Sequence, residues 1–263
     1  MEFGSLTLLF QKDIFSPLMM RVVFDGNATM KPDHAHHRDG SNHFSILLTF
    51  FLVQLLSTPI FEGSMAAGYA GDTLFYLLIA AAAYSVRKSR FFKLTIVLGA
   101  CTILGESSSY FTDNKNILIA SNFISCTYLG LVTFLIASAV ARQQKINADS
   151  IMGGLCVYIL LGIFWTILFV NIELLNPGSF DFGVHGQPQD MVTLYKLMFF
   201  YSYVTLLTIG YGEVVALSGM AQTLTILEGI IGQFYLIFFM ASLVGLYVSE
   251  RQFRRFDNQK KDL

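Results

Sequence analysis

The sequence predicts an all-α integral membrane protein with six transmembrane helices and one re-entrant loop. Two observations indicate the membrane class. Of its 263 residues, 54% are hydrophobic and only 13% are charged, whereas about a quarter of the residues in a soluble domain are charged. The apolar residues are also clustered, and roughly 20 in succession span the hydrocarbon core as a helix. Four segments contain no Asp, Glu, Lys or Arg: 44–61, 116–141, 150–172 and 229–249.

The distribution of basic residues sets the number and direction of the crossings. Two weaker apolar segments, interrupted by Asp72 and Glu106, complete the six, and both carboxylates are expected to reach water at the outer interface. All of the 17 Lys and Arg residues except Lys115 and Lys196 then fall on the side of both termini. Basic loop residues stay in the cytoplasm, so both termini are predicted to be cytoplasmic. The predicted crossings are 44–61, 66–86, 92–111, 117–141, 151–174 and 224–248.

A re-entrant loop is predicted between the fifth and sixth crossings. Residues 191–207 form an aromatic-rich apolar stretch that is short for a crossing and carries Lys196 near its start. The next helix must begin on the outer side, so this stretch enters and leaves the membrane on one face. Non-helical backbone is tolerated at that depth only where protein buries it or where it lines a water-filled path.

The segment after this stretch has the composition of an ion-selectivity filter. A potassium filter replaces the hydration shell of the ion with rings of backbone carbonyl oxygens from four chains. Gly210 and Gly212 reach positive φ without steric penalty, which suits a strand whose successive carbonyls face one axis. The Thr208 hydroxyl is expected to close the innermost ion site, and Tyr211 to point into an aromatic collar. The predicted K⁺ ligands are the carbonyls of Thr208, Ile209, Gly210 and Tyr211, within the filter Thr208-Ile209-Gly210-Tyr211-Gly212.

This part of the chain resembles the potassium channel superfamily, in particular the bacterial type whose pore is an outer helix, a P-loop and an inner helix. The resemblance is carried by YSYVTLLTIGYGE (201–213), GLCVYILLG (154–162), NPGSF (176–180) and LEGIIGQFYL (227–236). It covers about 150–248, and the first four helices resemble the group in hydropathy alone. It implies a homotetramer in the plasma (bacterial inner) membrane, with permeant K⁺ as the ligand and no cofactor. One loop per chain also requires four chains around an axis.

Two departures from the family pattern concern the outer mouth. Glu213 stands where Asp is usual, and 214–217 lacks the proline that commonly follows the filter. Thr205, Glu213 and Glu228 are predicted to support the filter. Glu228 is an acid inside a spanning helix, which is a functional-site hypothesis by default. One interpretation places it behind the filter, bonded to the pore helix or a neighbouring subunit; the other leaves it hydrated near the outer interface.

The inner helix is predicted to contain the gate. The resemblance places Gly232 at the position of a hinge, where glycine lowers resistance to bending. Close helix packing explains Gly232 equally well, because small residues let helices approach in membranes. Helical spacing predicts that Gln233, Leu236 and Met240 face a cavity below the filter.

Four regions follow from these assignments: a cytoplasmic amino-terminal segment (1–43), a four-helix membrane domain (44–142), the pore domain (150–250) and a short basic cytoplasmic tail (251–263). The fourth crossing contains no Lys or Arg, which excludes a voltage sensor built on gating arginines. Gating by lipid, the filter, the amino-terminal segment or a separate regulatory protein remains open. The amino-terminal segment lacks the pattern of a cleaved signal peptide. Its histidines either bind a metal or sense pH, or are simply solvated: His34, His36, His37 and His43.

Other classes of function fit the sequence less well. A net charge of −1 without a basic, aromatic-interleaved stretch predicts no nucleic-acid partner. The spans contain no Ser/His pair, paired Asp or HExxH motif, so no enzyme is expected. Two alternatives within transport remain: a weakly selective monovalent cation channel, and the pore subunit of a K⁺ transporter that needs a partner.

Overall fold

The computed structural model of the chain describes residues 43–60, 80–81, 83–84, 87, 89, 91–109, 115–143 and 147–261. For residues 43, 54–60, 106, 108–109, 250 and 253–261, it describes the backbone alone. The amino-terminal histidines His34, His36 and His37, and most of the second predicted crossing, lie outside the described residues. Of that crossing, residues 80–81 and 83–84 are helical.

Helices make up most of the described chain. They are α1 (His43–Ile60), α2 (Phe92–Ser109), α3 (Lys115–Ala141), α4 (Ala148–Leu175), α5 (Met191–Leu206), α6 (Gly219–Phe234) and α7 (Ala241–Lys261), with a π-helix (Tyr235–Met240) joining α6 to α7. A 3₁₀-helix covers Gly183–His185, and strands β1 (Phe180–Asp181) and β2 (Val215–Ala216) pair antiparallel.

The chain is therefore an all-α membrane protein. Within the described residues, three helical spans are long and apolar enough to cross a bilayer: Lys115–Ala141, Ala148–Leu175 and Gly219–Ser249. The first and third predicted crossings contain shorter apolar helices, Phe44–Val53 and Phe92–Gly105. Six crossings remain a prediction, since part of the chain lies outside the described residues.

Side-chain caps fix where the pore-region helices begin. Asn147 accepts the backbone N–H of Ser150 at 2.9 Å, and the Ser150 hydroxyl accepts that of Asn147 at 3.1 Å. These reciprocal bonds satisfy donors at the start of α4 that have no partner within the helix. Asp190 and Ser218 start α5 and α6 in the same way, by accepting N–H groups from the first turn.

The last helix differs from its prediction at both ends. It begins at Gly219 rather than at 224, because Ser218 caps it there. It also continues to Lys261, through the predicted end at 248 and into the predicted tail. The sequence after Gly245 contains neither glycine nor proline and is rich in Arg, Gln and Lys, which favour helix. The tail is therefore helical and continuous with the inner helix up to Lys261.

Helix α4 is the centre of the packing, because it contacts α1, α3, α5, α6 and α7. Its first half packs with α1 and α3 in one apolar core, and its second half packs with α5 in another. The second core includes Trp165, Phe169, Phe180, Met198 and Tyr201. Helix α5 is thereby held between α4 and the loop that precedes α5.

Candidate ion pore

Reciprocal hydrogen bonds fasten the end of α5 to the outer helix α4. The Tyr158 hydroxyl of α4 donates to the carbonyl of Leu206 at 2.8 Å, where α5 ends. In the other direction, the Tyr203 hydroxyl of α5 donates to the carbonyl of Ile159 at 2.7 Å. Each tyrosine places its hydroxyl on a carbonyl, which is the usual arrangement where the ring is buried and the hydroxyl needs a partner. The last residue of α5, two positions before the predicted filter, is thus fixed relative to the outer helix.

The backbone after α5 alternates in handedness. Thr208, Gly210 and Gly212 have φ values of 56°, 66° and 82°, and the residues between them have no positive φ. Such alternation turns successive peptide planes so that their carbonyls can face one side. Positive φ at the two glycines agrees with the sequence pattern. Thr208 is the exception, because it is the one non-glycine residue with positive φ among the described residues.

The predicted filter is exposed on the side that α5 does not cover. Ile209 and Tyr211 are 46% and 66% exposed, and the burial typical of α5 stops at Leu206. The Tyr211 ring stacks on Phe200 of α5, with centroids 6.2 Å apart and planes 8° apart. A Cβ added at Gly210 or Gly212 would meet nothing within 4 Å. The polar backbone of the filter therefore lies open on one face of the single chain.

The segment after the predicted filter is hydrogen-bonded to the loop that precedes α5. The backbone N–H of Leu217 donates to the Ser179 carbonyl at 2.8 Å, next to the β1–β2 pair. Glu213 lies 3.8 Å from the imidazole of His185, and both side chains are about half-exposed. Its carbonyl also lies 2.9 Å from the position of a Cβ at Gly183. The sequence singled out Glu213, but it gave no signal for its neighbour His185.

Glu228 lies on the pore-helix side of α6, as the first of the two interpretations requires. The side chain is fully buried, with 0% exposure, and its Oε1 is 2.5 Å from the Ser202 hydroxyl of α5. Thr205, the other predicted support residue on α5, donates its hydroxyl to the Tyr201 carbonyl at 2.9 Å. Thr205 therefore bonds its own helix, whereas Glu228 joins two helices. Ser202 was not predicted, because a serine in an apolar helix carries no signal of its own.

The end of α5 occupies the space beside Gly232. A Cβ added at Gly232 would lie 2.6 Å from Cδ2 of Leu206. This contact gives the glycine a packing role, which is one of its two sequence interpretations. The π-helix follows three residues later, and helices bend at such elements. The packing contact of Gly232 thus lies three residues before the π-helix, and a hinge at Gly232 stays a prediction.

Of the three predicted cavity residues, Met240 packs differently from Gln233 and Leu236. Gln233 and Leu236 are half-buried, whereas the sulfur of Met240 lies 2.6 Å from the position of a Cβ at Gly154 in α4. The prediction assumed regular α-helical spacing from Gln233 onward. A π-helix has i→i+5 bonding and more residues per turn, so it rotates the residues after it. Met240 consequently packs against the outer helix.

A second contact that the sequence did not reveal joins α3 to the pore helix. The Tyr195 hydroxyl of α5 donates to Oδ1 of Asn122 at 2.5 Å, and Asn122 is fully buried. Helix α3 thus bonds directly to α5 within one chain.

The last span leaves most of its apolar surface uncovered. Only 17% of its most apolar window is buried, against 61% and 67% for the spans formed by α3 and α4. The exposed residues lie on one side of α6 and the π-helix, at Ile226, Ile230, Phe234 and Ile237. Lipid or further protein must cover this surface.

A family model described as an ion channel matches residues 185–249. The match begins before α5 and includes the filter segment, α6, the π-helix and the apolar part of α7. No curated protein and no solved structure matches the chain. Residues 185–249 thus match an ion-channel domain, in a chain that has helices long and apolar enough to cross a membrane. Because that family is one of channels, the prediction that the chain is not an enzyme is confirmed.

Proposed function

We propose that this ion-channel domain forms a potassium-selective pore from four copies of the chain, with passive K⁺ permeation through a carbonyl-lined filter. The carbonyls of Thr208, Ile209, Gly210 and Tyr211 and the Thr208 hydroxyl bind the ion, and Gly212 ends the filter. The alternating backbone handedness at 208, 210 and 212 is the observation that carries the proposal. It lets consecutive carbonyls replace the water around one ion.

The position of α5 adds an electrostatic argument. Its carboxyl end, at Leu206, comes directly before the filter. The carboxyl end of a helix carries a partial negative charge, which favours a cation. Asp190 caps the opposite end, where a negative charge is also favourable. The pore helix therefore presents its negative end to the cation site.

The open face of the filter supports assembly around an axis. An uncovered polar backbone at membrane depth costs several kcal/mol for each unsatisfied group. Water and protein, rather than lipid, must therefore cover the exposed residues 207–212. Four chains with cyclic symmetry provide both, since their filters enclose the ion path and the apolar faces of α6 meet each other or lipid.

The rest of the proposal concerns gating and location. Helix α3 carries no basic residue after Lys115 at its first position, so an array of gating arginines is absent from this helix. Gating comes instead from the membrane lipid, from the filter, from the amino-terminal segment or from a separate regulatory protein. It lies in the plasma (bacterial inner) membrane with both termini in the cytoplasm.

Potassium flux into liposomes tests the function. The purified full chain should take up K⁺ but not Na⁺, and Ba²⁺ should block the uptake. Gly210→Ala should abolish the flux, because alanine at positive φ costs roughly 1–2 kcal/mol and the filter backbone will flip to avoid it. The matched control is Gly178→Ala, since Gly178 also has positive φ (86°) and open space around it, but lies outside the filter. Equal Na⁺ uptake contradicts selectivity, and full K⁺ flux in Gly210→Ala contradicts the assignment of the filter.

A further inference from the structure

Three helices meet at one serine behind the filter. The Ser202 hydroxyl of α5 lies 2.5 Å from Oε1 of Glu228 in α6 and 3.0 Å from the Gly162 carbonyl of α4. All three groups lie in the interior, with Ser202 and Glu228 both at 0% exposure. The pore helix, the outer helix and the inner helix are thus joined by two short oxygen–oxygen contacts.

Counting hydrogens shows which group must donate. A serine hydroxyl has one hydrogen, and a carbonyl oxygen has none. If Glu228 were a carboxylate, Ser202 could place its hydrogen toward only one of two acceptors, and the other contact would bring bare lone pairs together. If Glu228 carries a proton, it donates to Ser202, which donates to Gly162. Only the protonated acid puts a hydrogen in both contacts.

The surroundings of Glu228 provide nothing that would hold a negative charge. Its Oε2 has no hydrogen-bond partner among the described residues, and no Lys, Arg or His in the described part of the chain pairs with it. The titratable groups that face it are Tyr158, Tyr201 and Tyr203. An unpaired buried charge is far more costly than a neutral polar group.

These three tyrosines do not act as donors to Glu228. Tyr158 donates to the Leu206 carbonyl and Tyr203 to the Ile159 carbonyl. Tyr201 shares its hydrogen bond with the Thr225 hydroxyl at 2.7 Å. Each phenol already has a partner, and none is cationic at any pH. The proton on Glu228 is therefore the only one positioned to complete the contact with Ser202.

A second buried glutamate shows the opposite arrangement. Glu173 at the end of α4 accepts the backbone N–H of Gly178 at 2.7 Å and that of Phe180 at 3.1 Å, one on each oxygen. Two N–H donors suit a carboxylate. Glu228 instead contacts the Ser202 hydroxyl, whose single hydrogen is needed by the Gly162 carbonyl. The chain thus contains a matched pair of buried glutamates with opposite hydrogen-bonding requirements.

We infer that Glu228 is a neutral carboxylic acid that links the inner, pore and outer helices through Ser202, and that loss of its proton breaks this three-helix joint and closes the filter. Deprotonation transfers the Oε1 proton to water or hydroxide. The single hydrogen of the Ser202 hydroxyl then remains for two acceptors, Glu228 and the Gly162 carbonyl, so one of the two contacts is lost. The joint lies on the helix that ends at the filter, so its release removes support from Thr208 and Gly210. The effect on flux rests on the proposed channel function, whereas the protonation state does not.

Infrared spectroscopy of the full chain in liposomes tests the protonation directly. At neutral pH, the parent should show the C=O band of a protonated carboxylic acid, and Glu228→Gln should lack it. Glu173→Gln is the matched control and should retain the band. Absence of the band in the parent, or its persistence in Glu228→Gln, overturns the inference whether or not the protein conducts.

Potassium flux measured against pH then tests regulation. As the pH rises and the acid band disappears, the K⁺ flux of the parent should fall with the same midpoint. Glu228→Gln cannot lose a proton at this position, so its flux should lose this pH dependence. Parent flux that stays constant while the band disappears overturns the regulatory step. Absence of K⁺ flux at every pH, with the band present, contradicts the proposed function and leaves the protonation result standing.

Discussion

Gly162→Ala tests whether close contact between the outer helix and the pore helix holds the filter in place. A Cβ at this position would lie 2.5, 2.8 and 2.9 Å from Cζ, Cε2 and Cε1 of Tyr203. These atoms belong to a rigid ring rather than to the end of a flexible chain. The ring is also held by its hydroxyl on Ile159 and by contact with Phe199, whose centroid is 4.5 Å away. The added methyl group must therefore push α5 away from α4 or break the Tyr203 hydrogen bond.

The expected change in the free energy of unfolding combines two destabilising contributions and one stabilising contribution. Overpacking a well-filled interior costs typically about 1–3 kcal/mol, and a lost hydrogen bond costs about 1 kcal/mol more. Alanine in place of glycine in a helix contributes about 1 kcal/mol in the other direction. We expect a net loss of about 1–3 kcal/mol in the free energy of unfolding.

Thermal unfolding of the full chain in detergent, followed by circular dichroism, measures this loss, and K⁺ flux in liposomes should fall with it. Gly245→Ala is the matched control, because it is also a helical glycine but has nothing within 4 Å of the added Cβ. It should unfold at or above the temperature of the parent. If Gly162→Ala were as stable as Gly245→Ala, the packing argument for α4 and α5 would be refuted.

Three further predictions concern the helices of the pore region. Gly232→Ala should lower the unfolding temperature because its Cβ meets Leu206 at 2.6 Å; adding Leu206→Val should recover part of the loss, and no recovery would favour the hinge interpretation. Asn147→Ala removes the side-chain acceptor of the Ser150 N–H but keeps the backbone N–H that donates to the Ser150 hydroxyl, and it should cost about 1 kcal/mol in chemical unfolding; an unchanged midpoint would contradict the cap. The Thr193 hydroxyl and N–H, which both donate to Asp190, lower the pKa of that carboxyl. Its stabilisation is present above the ordinary pKa of aspartate and is lost as the pH falls through the lowered value; amide exchange in the first turn of α5 should rise there in the parent but not in Asp190→Asn.

The sequence predicted the helices best where polar residues interrupt an apolar run. The predicted stretch 191–207 corresponds to α5, Met191–Leu206, because Asp190 supplies a cap and the glycine-rich filter ends the helix. Positive φ at Gly210 and Gly212 could also be predicted from the sequence, since glycine is the residue that adopts it at no steric cost. These features depend on residues close together in the chain.

Features that depend on long-range packing could not be predicted from the sequence. Ser202 and Glu228 are 26 positions apart, and Asn122 and Tyr195 are 73 apart, so no local pattern marks either pair. The π-helix contains no glycine or proline that would indicate it, and it moved Met240 away from its predicted side. The positive φ of Thr208 could not be predicted either, because a β-branched residue rarely adopts it.

The reversal potential with K⁺ on one side of the membrane and Na⁺ on the other tests the central claim most directly. Dehydration by four rings of carbonyls favours K⁺, so current through the full chain should be carried by K⁺ alone. The account predicts a reversal potential displaced far toward the K⁺ equilibrium potential, with no measurable Na⁺ current. A reversal potential near zero, with Na⁺ and K⁺ currents of equal size, would contradict a selective filter at Thr208-Ile209-Gly210-Tyr211-Gly212.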